Sequence, residues 1–100
     1  MNQREEQIFV SIIEILKKNL NPTKLILFGS RAKGKSTSGS DFDIAVVSDP
    51  VNNINQRKVK EAIEAVSGLY KVDVVYWDEL DEDFKKIISK SGKVIYERRA

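Results

Sequence analysis

Two apolar runs separated by a polar segment constrain the fold of this chain more than any other feature. Residues 24–28 and 41–48 have the composition of strands, and residues 29–40 between them read GSRAKGKSTSGS. A crossover between parallel strands needs about a dozen residues or more and usually contains a helix. The connecting segment barely reaches that length and carries no helical pattern. We therefore expect the two strands to be antiparallel neighbours joined by a loop.

The other elements alternate between helix and strand. Apolar periodicity and end signals predict helices over 3–19, 53–66 and 78–90, a strand over 71–77 and an edge strand near 94–96. The second helix is long enough for a crossover that makes the strands on either side of it parallel neighbours. The expected fold is α/β (α+β), a small mixed sheet flanked by helices, in a single domain over residues 1–100.

Composition restricts the chemistry that this chain can perform. It contains no cysteine and no histidine, which excludes thiolate sites and imidazole catalysis. A metal site would have to consist of oxygen ligands, which favours Mg²⁺ or Mn²⁺. The net charge of +2 does not indicate nucleic-acid binding, and no apolar run approaches the length of a membrane span. The polar N-terminus is unlike a signal peptide, so we expect a cytoplasmic protein.

One interpretation of the loop is a P-loop, because residues 29–36 match the pattern G-x-x-x-x-G-K-S. A P-loop requires a helix after the lysine, whose N-terminus and amides hold the phosphates. Here Lys35 and Ser36 are followed by Thr-Ser-Gly-Ser, which are poor residues for a helix interior, and then by the second strand. The P-loop ATPase is therefore the less favoured alternative.

A second interpretation rests on aspartates in two strands. Asp41 and Asp43 are two residues apart and share one face of their strand, while Asp73 lies on an otherwise apolar face of the next strand. Taken alone, the Asp-x-Asp pair could be a solvated turn, and Asp73 could be an edge charge or the partner of a nearby lysine. If the three carboxylates converge, a divalent cation would relieve their repulsion.

The loop between the first two strands would then handle phosphate. Gly29 permits close approach of the backbone to a phosphate group, and Ser30 offers an amide and a hydroxyl. The basic side chains of Arg31, Lys33 and Lys35 would neutralise triphosphate charge. By default these three residues are ordinary surface charges.

Taken together, these motifs resemble the nucleotidyltransferase superfamily that includes DNA polymerase beta. The similarity is to its stand-alone minimal nucleotidyltransferases, whose pattern is Gly-Ser-Arg-Ala-Arg-Gly, then Ser-Asp-x-Asp, then a later Asp in a strand. Residues 29–34 and 40–43 and Asp73 match this pattern in order, and the similarity extends over almost the whole chain. Lys33 replaces the second arginine of the pattern. This replacement keeps the positive charge but loses the two parallel hydrogen bonds that an arginine can donate to a phosphate.

The resemblance implies a set of site residues and a reaction. Asp41, Asp43 and Asp73 would be catalytic and would hold two Mg²⁺ ions, with Mn²⁺ as a substitute. The expected nucleotide-binding residues are Gly29, Ser30, Arg31 and Ser40. The substrate would be ATP or another nucleoside triphosphate, and a nucleoside monophosphate would pass to an acceptor hydroxyl.

The resemblance also implies a partner. Small members of this family occur with an all-helical HEPN protein, act as antitoxins, and in some cases adenylylate a tyrosine of the toxin. A chain of 100 residues has little room for an acceptor-binding domain, so a HEPN partner or a second subunit in a homo-oligomer would present the acceptor. A different class of function remains open, in which the protein is a non-catalytic antitoxin that neutralises its partner by contact.

Overall fold

A computed structural model describes residues 1–34 and 39–99. These residues form three α-helices, four strands and one short 3₁₀ turn. The helices are α1 (Gln3–Leu20), α2 (Asn53–Ser67) and α3 (Glu82–Ser91), and the strands are β1 (Lys24–Phe28), β2 (Phe42–Val47), β3 (Val72–Tyr76) and β4 (Lys93–Glu97). None of these helices has both the length and the hydrophobicity that spanning a membrane requires.

The four strands form one mixed sheet in the order β3-β2-β1-β4. β1 is antiparallel to both β2 and β4, while β2 and β3 are parallel. The structure confirms the predicted antiparallel pair, because the polar loop returns the chain directly beside β1. It also confirms the predicted parallel pair, since α2 provides a connection long enough to bring the chain back to the same end of the sheet.

Two apolar clusters cover the two faces of the sheet. On one face, α1 and α2 pack against alternate strand residues, and the buried set includes Ile12, Leu16, Phe42, Ile44 and Ile63. On the other face, Ile88 of α3 packs with Ile26 and Ala45. The alternation of β2 assigns Asp43 to the same face as Ala45, the face that α3 covers in part.

The start of the third helix differs from the prediction. The sequence predicted one helix over 78–90, but residues Trp77–Glu79 form a 3₁₀ turn and α3 begins at Glu82. Asp81 is the reason, because its side chain accepts a hydrogen bond from the backbone N–H of Phe84 and caps the helix there.

The strand directions bring three chain segments to one end of the sheet. β1 ends there, whereas β2 and β3 both begin there. The turn at Gly29 and the aspartates at the starts of β2 and β3 therefore lie close together, although they are up to 44 positions apart in the sequence, from Gly29 to Asp73 (73 − 29).

Candidate active site

The turn after β1 depends on glycine for two reasons. Gly29 has a φ of 73°, in the left-handed region that residues with a side chain adopt at a cost. A β-carbon at this position would also overlap Oδ2 of Asp43. The neighbouring Ser30 is exposed. The backbone therefore passes directly beside a carboxylate and leaves an open approach at Ser30.

Asp43 and Asp73 form the centre of the candidate site. They are register partners in the parallel strands β2 and β3, so their side chains project from the same face of the sheet. Both are half-buried. Burial, followed by the negative charges of Asp73 and Asp41 and a hydrogen bond with Asp73, raises the pKa of Asp43 above its usual range. The two carboxylates therefore repel each other when both are ionised.

Asp41 lies at the edge of this pair. The sequence predicted that the strand would begin at residue 41, but β2 begins at Phe42, and Asp41 is an exposed residue just before it. Its charge contributes to the raised pKa of Asp43, which places the three acids in one electrostatic neighbourhood. In the ranges 1–34 and 39–99, no three acidic, cysteine or histidine side chains are grouped closely enough to hold a metal ion.

The donor chemistry of these residues nevertheless fits a hard divalent cation. The side chains of Asp41, Asp43 and Asp73 offer carboxylate oxygens, and Mg²⁺ is commonly held by one or two carboxylates together with substrate phosphates. After burial, the negative charges of Asp73 and Asp41 are the next causes that raise the pKa of Asp43. A cation between Asp43 and Asp73 would relieve the repulsion that the structure contains.

Lys71 is the nearby lysine that the sequence offered as an alternative partner of Asp73. Its Nζ lies 3.7 Å from Oδ2 of Asp73, and its charge lowers the pKa of Asp43 against the larger opposing effects. Both side chains of this ion pair are substantially exposed, so the pair adds little stability. The signal was available, since a lysine two residues before Asp73 shares its strand face.

Arg31 lies inside the fold rather than at its surface. Its guanidinium forms an ion pair with Glu5 at 2.6 Å and donates to the backbone carbonyls of Ser40 and Asp41, at 2.6 Å and 3.2 Å. The same group stacks over the ring of Phe42, 4.0 Å from the ring centre. The expected contact between Arg31 and phosphate stays a prediction, but Nε and Nη2 of the guanidinium already donate hydrogen bonds within the protein.

Glu5 was not identified from the sequence, although a signal existed. It is only 3% exposed and continues the buried stripe that Ile8, Ile12 and Leu16 form along α1. A carboxylate on the core-facing stripe of a helix requires a buried partner. The partner is Arg31 in the loop. The spacing of Glu5 and Arg31 in the sequence does not predict that they form a pair.

The remaining loop residues divide between described and undescribed positions. Ser40 is half-buried and its carbonyl holds Arg31, while Lys33 is exposed. Lys35 and Ser36, on which the P-loop interpretation depends, lie outside the described residues. Residues 30–34 and Gly39 form turns, and β2 begins at Phe42, so the described part of the loop contains no helix of the kind a P-loop requires.

A groove of about 770 Å³ runs between α2 and the edge strand β3. Arg57, Lys60 and Ile63 of α2 line one side, and Asp73 and Tyr76 of β3 line the other. Asp73 therefore belongs both to the acidic site and to this groove. A second molecule in the groove would contact the edge strand β3 at the position of Asp73.

The sequence matches known families and proteins. The family model described as "Polymerase beta, Nucleotidyltransferase" matches residues 11–100. The chain is 34% identical over 91 residues to the "Probable protein adenylyltransferase MntA" of Haemophilus influenzae, a match that covers 89% of this chain and 80% of that protein.

Solved structures share the fold. A chain in the crystal structure of a toxin–antitoxin with AMP-PNP superposes with a TM-score of 0.77 at 24% identity, covering 90% of this chain and 73% of that chain. A chain in the complex of a tri-AMPylated Shewanella oneidensis HEPN toxin with an MNT antitoxin gives a TM-score of 0.73 at 21% identity, covering 93% and 72%. These likenesses establish the architecture of the sheet and its flanking helices.

Proposed function

The chain belongs to the polymerase beta-type nucleotidyltransferase family, and on that premise we propose that it transfers AMP from ATP to an acceptor hydroxyl. The observation that carries the proposal is the register pairing of Asp43 with Asp73 beside the Gly29 turn. This arrangement brings two carboxylates together beside a turn that is exposed at Ser30. Asp41 completes the proposed set of acidic residues.

We assign Mg²⁺ as the cofactor, held by Asp43 and Asp73 with Asp41 contributing at the edge. When bound, divalent ions in such sites stabilise the charge on the attacking and leaving oxygens of phosphoryl transfer. Gly29 and Ser30 would receive the triphosphate, because the turn is exposed at Ser30, which carries an amide and a hydroxyl.

The proposed reaction is a single displacement at the α-phosphorus of ATP. The acceptor oxygen forms a bond to that phosphorus, and the bond from the phosphorus to the oxygen bridging the α- and β-phosphates breaks. Pyrophosphate leaves with the bonding electrons, and the proton of the acceptor hydroxyl passes to the carboxylate of Asp73. Asp73 suits this part because its side chain is 43% exposed and lies on the edge strand β3, where an acceptor can approach.

A protein acceptor follows from the relatives. The Haemophilus influenzae relative is named a protein adenylyltransferase, and an AMPylated HEPN toxin is present in one structure of the same fold. We propose that the acceptor here is a tyrosine hydroxyl of a HEPN-type helical partner in the cytoplasm. The single domain then functions as the antitoxin of the pair.

Label position in ATP provides the test. The protein is incubated with Mg²⁺, a HEPN-type toxin and ATP labelled at either the α- or the γ-phosphate. Transfer of AMP labels the toxin from α-labelled ATP only, whereas a kinase would transfer the γ-label. Asp43→Asn and Asp73→Asn should reduce labelling by at least about 100-fold, the scale on which electrostatic stabilisation of a transition state acts.

Asp49→Asn is the matched control, because this exposed aspartate lies in the turn after β2 and outside the proposed site. It should label the toxin at the rate of the wild type. Full labelling by Asp43→Asn would rule out the proposed site. Neutralisation of the toxin by Asp43→Asn without any labelling would instead indicate an antitoxin that acts by contact.

A further inference from the structure

The start of α1 is connected to the start of β2 through a buried ion pair. Glu5 is 3% exposed and Arg31 is 7% exposed, and Oε2 of Glu5 accepts from Nη2 of Arg31 at 2.6 Å. The other carboxylate oxygen of Glu5, Oε1, accepts from the backbone N–H of Asn2 at 3.2 Å and closes a capping box at the start of α1. The helix cap therefore holds one carboxylate oxygen of Glu5, and Arg31 of the loop holds the other.

Arg31 extends this connection to the residues that precede β2. Its Nε lies 3.1 Å from the carbonyl oxygen of Ser40 and 3.2 Å from that of Asp41, and its Nη2 lies 2.6 Å from the first of these. The planar guanidinium can hold both carbonyls at once because its donors are arranged in a rigid fork. The ring of Phe42 packs against the guanidinium, with the ring centre 4.0 Å from Cζ of Arg31.

These contacts fix the chain at the position where an acidic side chain enters the site. Asp41 precedes β2, which begins at Phe42. Its carbonyl oxygen accepts a hydrogen bond from Nε of Arg31. A buried ion pair is weak evidence for stability, since a well-packed apolar pair can do as well. A hydrophobic pair at these positions would leave the carbonyls of Ser40 and Asp41 without this donor.

We propose that Glu5 is a positioning residue for nucleotidyl transfer: it fixes Arg31, which holds the backbone at Ser40 and Asp41 so that the Asp41 carboxylate stays beside Asp43 and Asp73. This inference rests on the proposed function. Glu5 itself touches neither nucleotide nor metal. It acts through the geometry of the segment that carries Asp41.

Two variants separate this role from simple stabilisation of the fold. Glu5→Gln keeps the shape of the side chain and one oxygen acceptor but removes the charge. Arg31→Lys keeps the charge opposite Glu5 but removes the fork that reaches two carbonyls. Both variants are examined as the full chain, at a temperature where circular dichroism shows that each is folded.

Mn²⁺ affinity, measured by calorimetric titration of the metal alone, is the main readout. We expect both variants to bind Mn²⁺ about 10-fold or more weakly than the wild type, which is the scale for residues that orient metal ligands. In the labelling reaction of Glu5→Gln, kcat should fall while the KM for ATP stays within about twofold, because Glu5 does not touch the Gly29–Ser30 turn.

Two control variants identify nonspecific effects. Glu14→Gln removes an exposed carboxylate from the same helix, where it pairs with Lys17 at 3.5 Å. Leu16→Ala destabilises the buried end of α1 that is remote from Glu5. Both should bind Mn²⁺ with wild-type affinity, and Leu16→Ala shows whether loss of stability alone weakens the site.

The outcomes distinguish this inference from the proposed function. If the wild type binds Mn²⁺ and either Glu5→Gln or Arg31→Lys binds it equally well, the positioning role is wrong and the proposed function stands. The positioning role is also wrong if Leu16→Ala weakens binding as much as Glu5→Gln does. If the wild type itself binds no Mn²⁺ and labels no acceptor, the proposed function fails, and the positioning role fails with it.

Discussion

The α-carbon of Gly29 faces the carboxylate of Asp43 with no room for a side chain between them. The antiparallel register explains the approach, because Phe28 pairs with Asp43 and the chain turns immediately afterwards. A left-handed φ at residue 29 turns the backbone at the start of β2, beside Asp43. The glycine of the loop and the aspartate of the strand therefore depend on each other sterically.

Gly29→Ala should impair nucleotidyl transfer more than it impairs stability. An alanine at this φ costs about 1–2 kcal/mol of folding free energy, and its β-carbon would also displace Asp43. Gly34→Ala is the matched control, since Gly34 has a similar φ of 69° but, its own atoms and its chain neighbours aside, no atom of residues 1–34 or 39–99 lies within 4 Å of its β-carbon position. Urea unfolding and the labelling rate measure both effects. Equal loss of activity in the two variants would show that backbone strain, and not Asp43, is responsible.

Asp43→Asn should raise the thermal midpoint of the metal-free protein at neutral pH. The pKa of Asp43 is raised by burial and by Asp73, so its ionised form opposes folding, and the neutral amide removes that opposition. The measurement is thermal unfolding followed by circular dichroism in the presence of a chelator. A lower midpoint for Asp43→Asn would show that the carboxylate makes a stabilising contact instead.

Added metal should make the thermal midpoint of the wild type higher than that of Asp43→Asn. A cation that binds only the folded wild type at 100 times its dissociation constant adds about 2.7 kcal/mol of stability. Mn²⁺ should therefore raise the midpoint of the wild type and leave that of Asp43→Asn nearly unchanged. Asp49→Asn should respond to Mn²⁺ as the wild type does, because its side chain lies outside the site.

Ile88→Ala should be strongly destabilising because Ile88 anchors α3 to the sheet. This residue is 0% exposed and packs with Ile26 and Ala45, and truncation of such a side chain costs about 2–5 kcal/mol. The neighbouring Ile87 is 58% exposed, so Ile87→Ala should change stability by no more than about 0.5 kcal/mol. Urea unfolding of both variants compares two positions with the same residue type in one helix, and comparable losses would contradict the assigned packing of α3.

The central pair of acids could be predicted from the sequence because strand geometry is regular. Alternation assigned Asp41 and Asp43 to one face, and the length of the segment over 53–66 predicted that β2 and β3 would be parallel neighbours. The structure pairs Phe42 with Val72, so that Asp43 lies opposite Asp73 in the next position of the two strands. Local pattern and connection length are sufficient here, since both follow from backbone geometry.

The role of Arg31 could not be predicted because it depends on a contact between distant residues. A basic side chain in a polar loop is exposed by default, and only the folded chain brings it under α1 to meet Glu5. The start of α3 was missed for a local reason. Several acidic residues precede the helix, each of them suitable for its first turn, and the side chain of Asp81 is the one that accepts the capping hydrogen bond from the backbone N–H of Phe84.

Acidification should remove the stabilising contribution of Glu5. The hydrogen bond from Arg31, followed by that from Asn2, lowers the pKa of Glu5 below its ordinary value of 4.5. A lowered pKa in the folded state means that the contribution is fully present above about pH 4.5 and is lost as the pH falls through the lowered value. The difference in unfolding free energy between the wild type and Glu5→Gln should stay constant from neutral pH to about pH 5 and shrink below pH 4.5.

Urea unfolding at a series of pH values measures this difference, with Glu14→Gln as a control for the loss of one carboxylate from α1. A difference that persists unchanged in acid would mean that Glu5 stabilises the fold by packing and not by its charge.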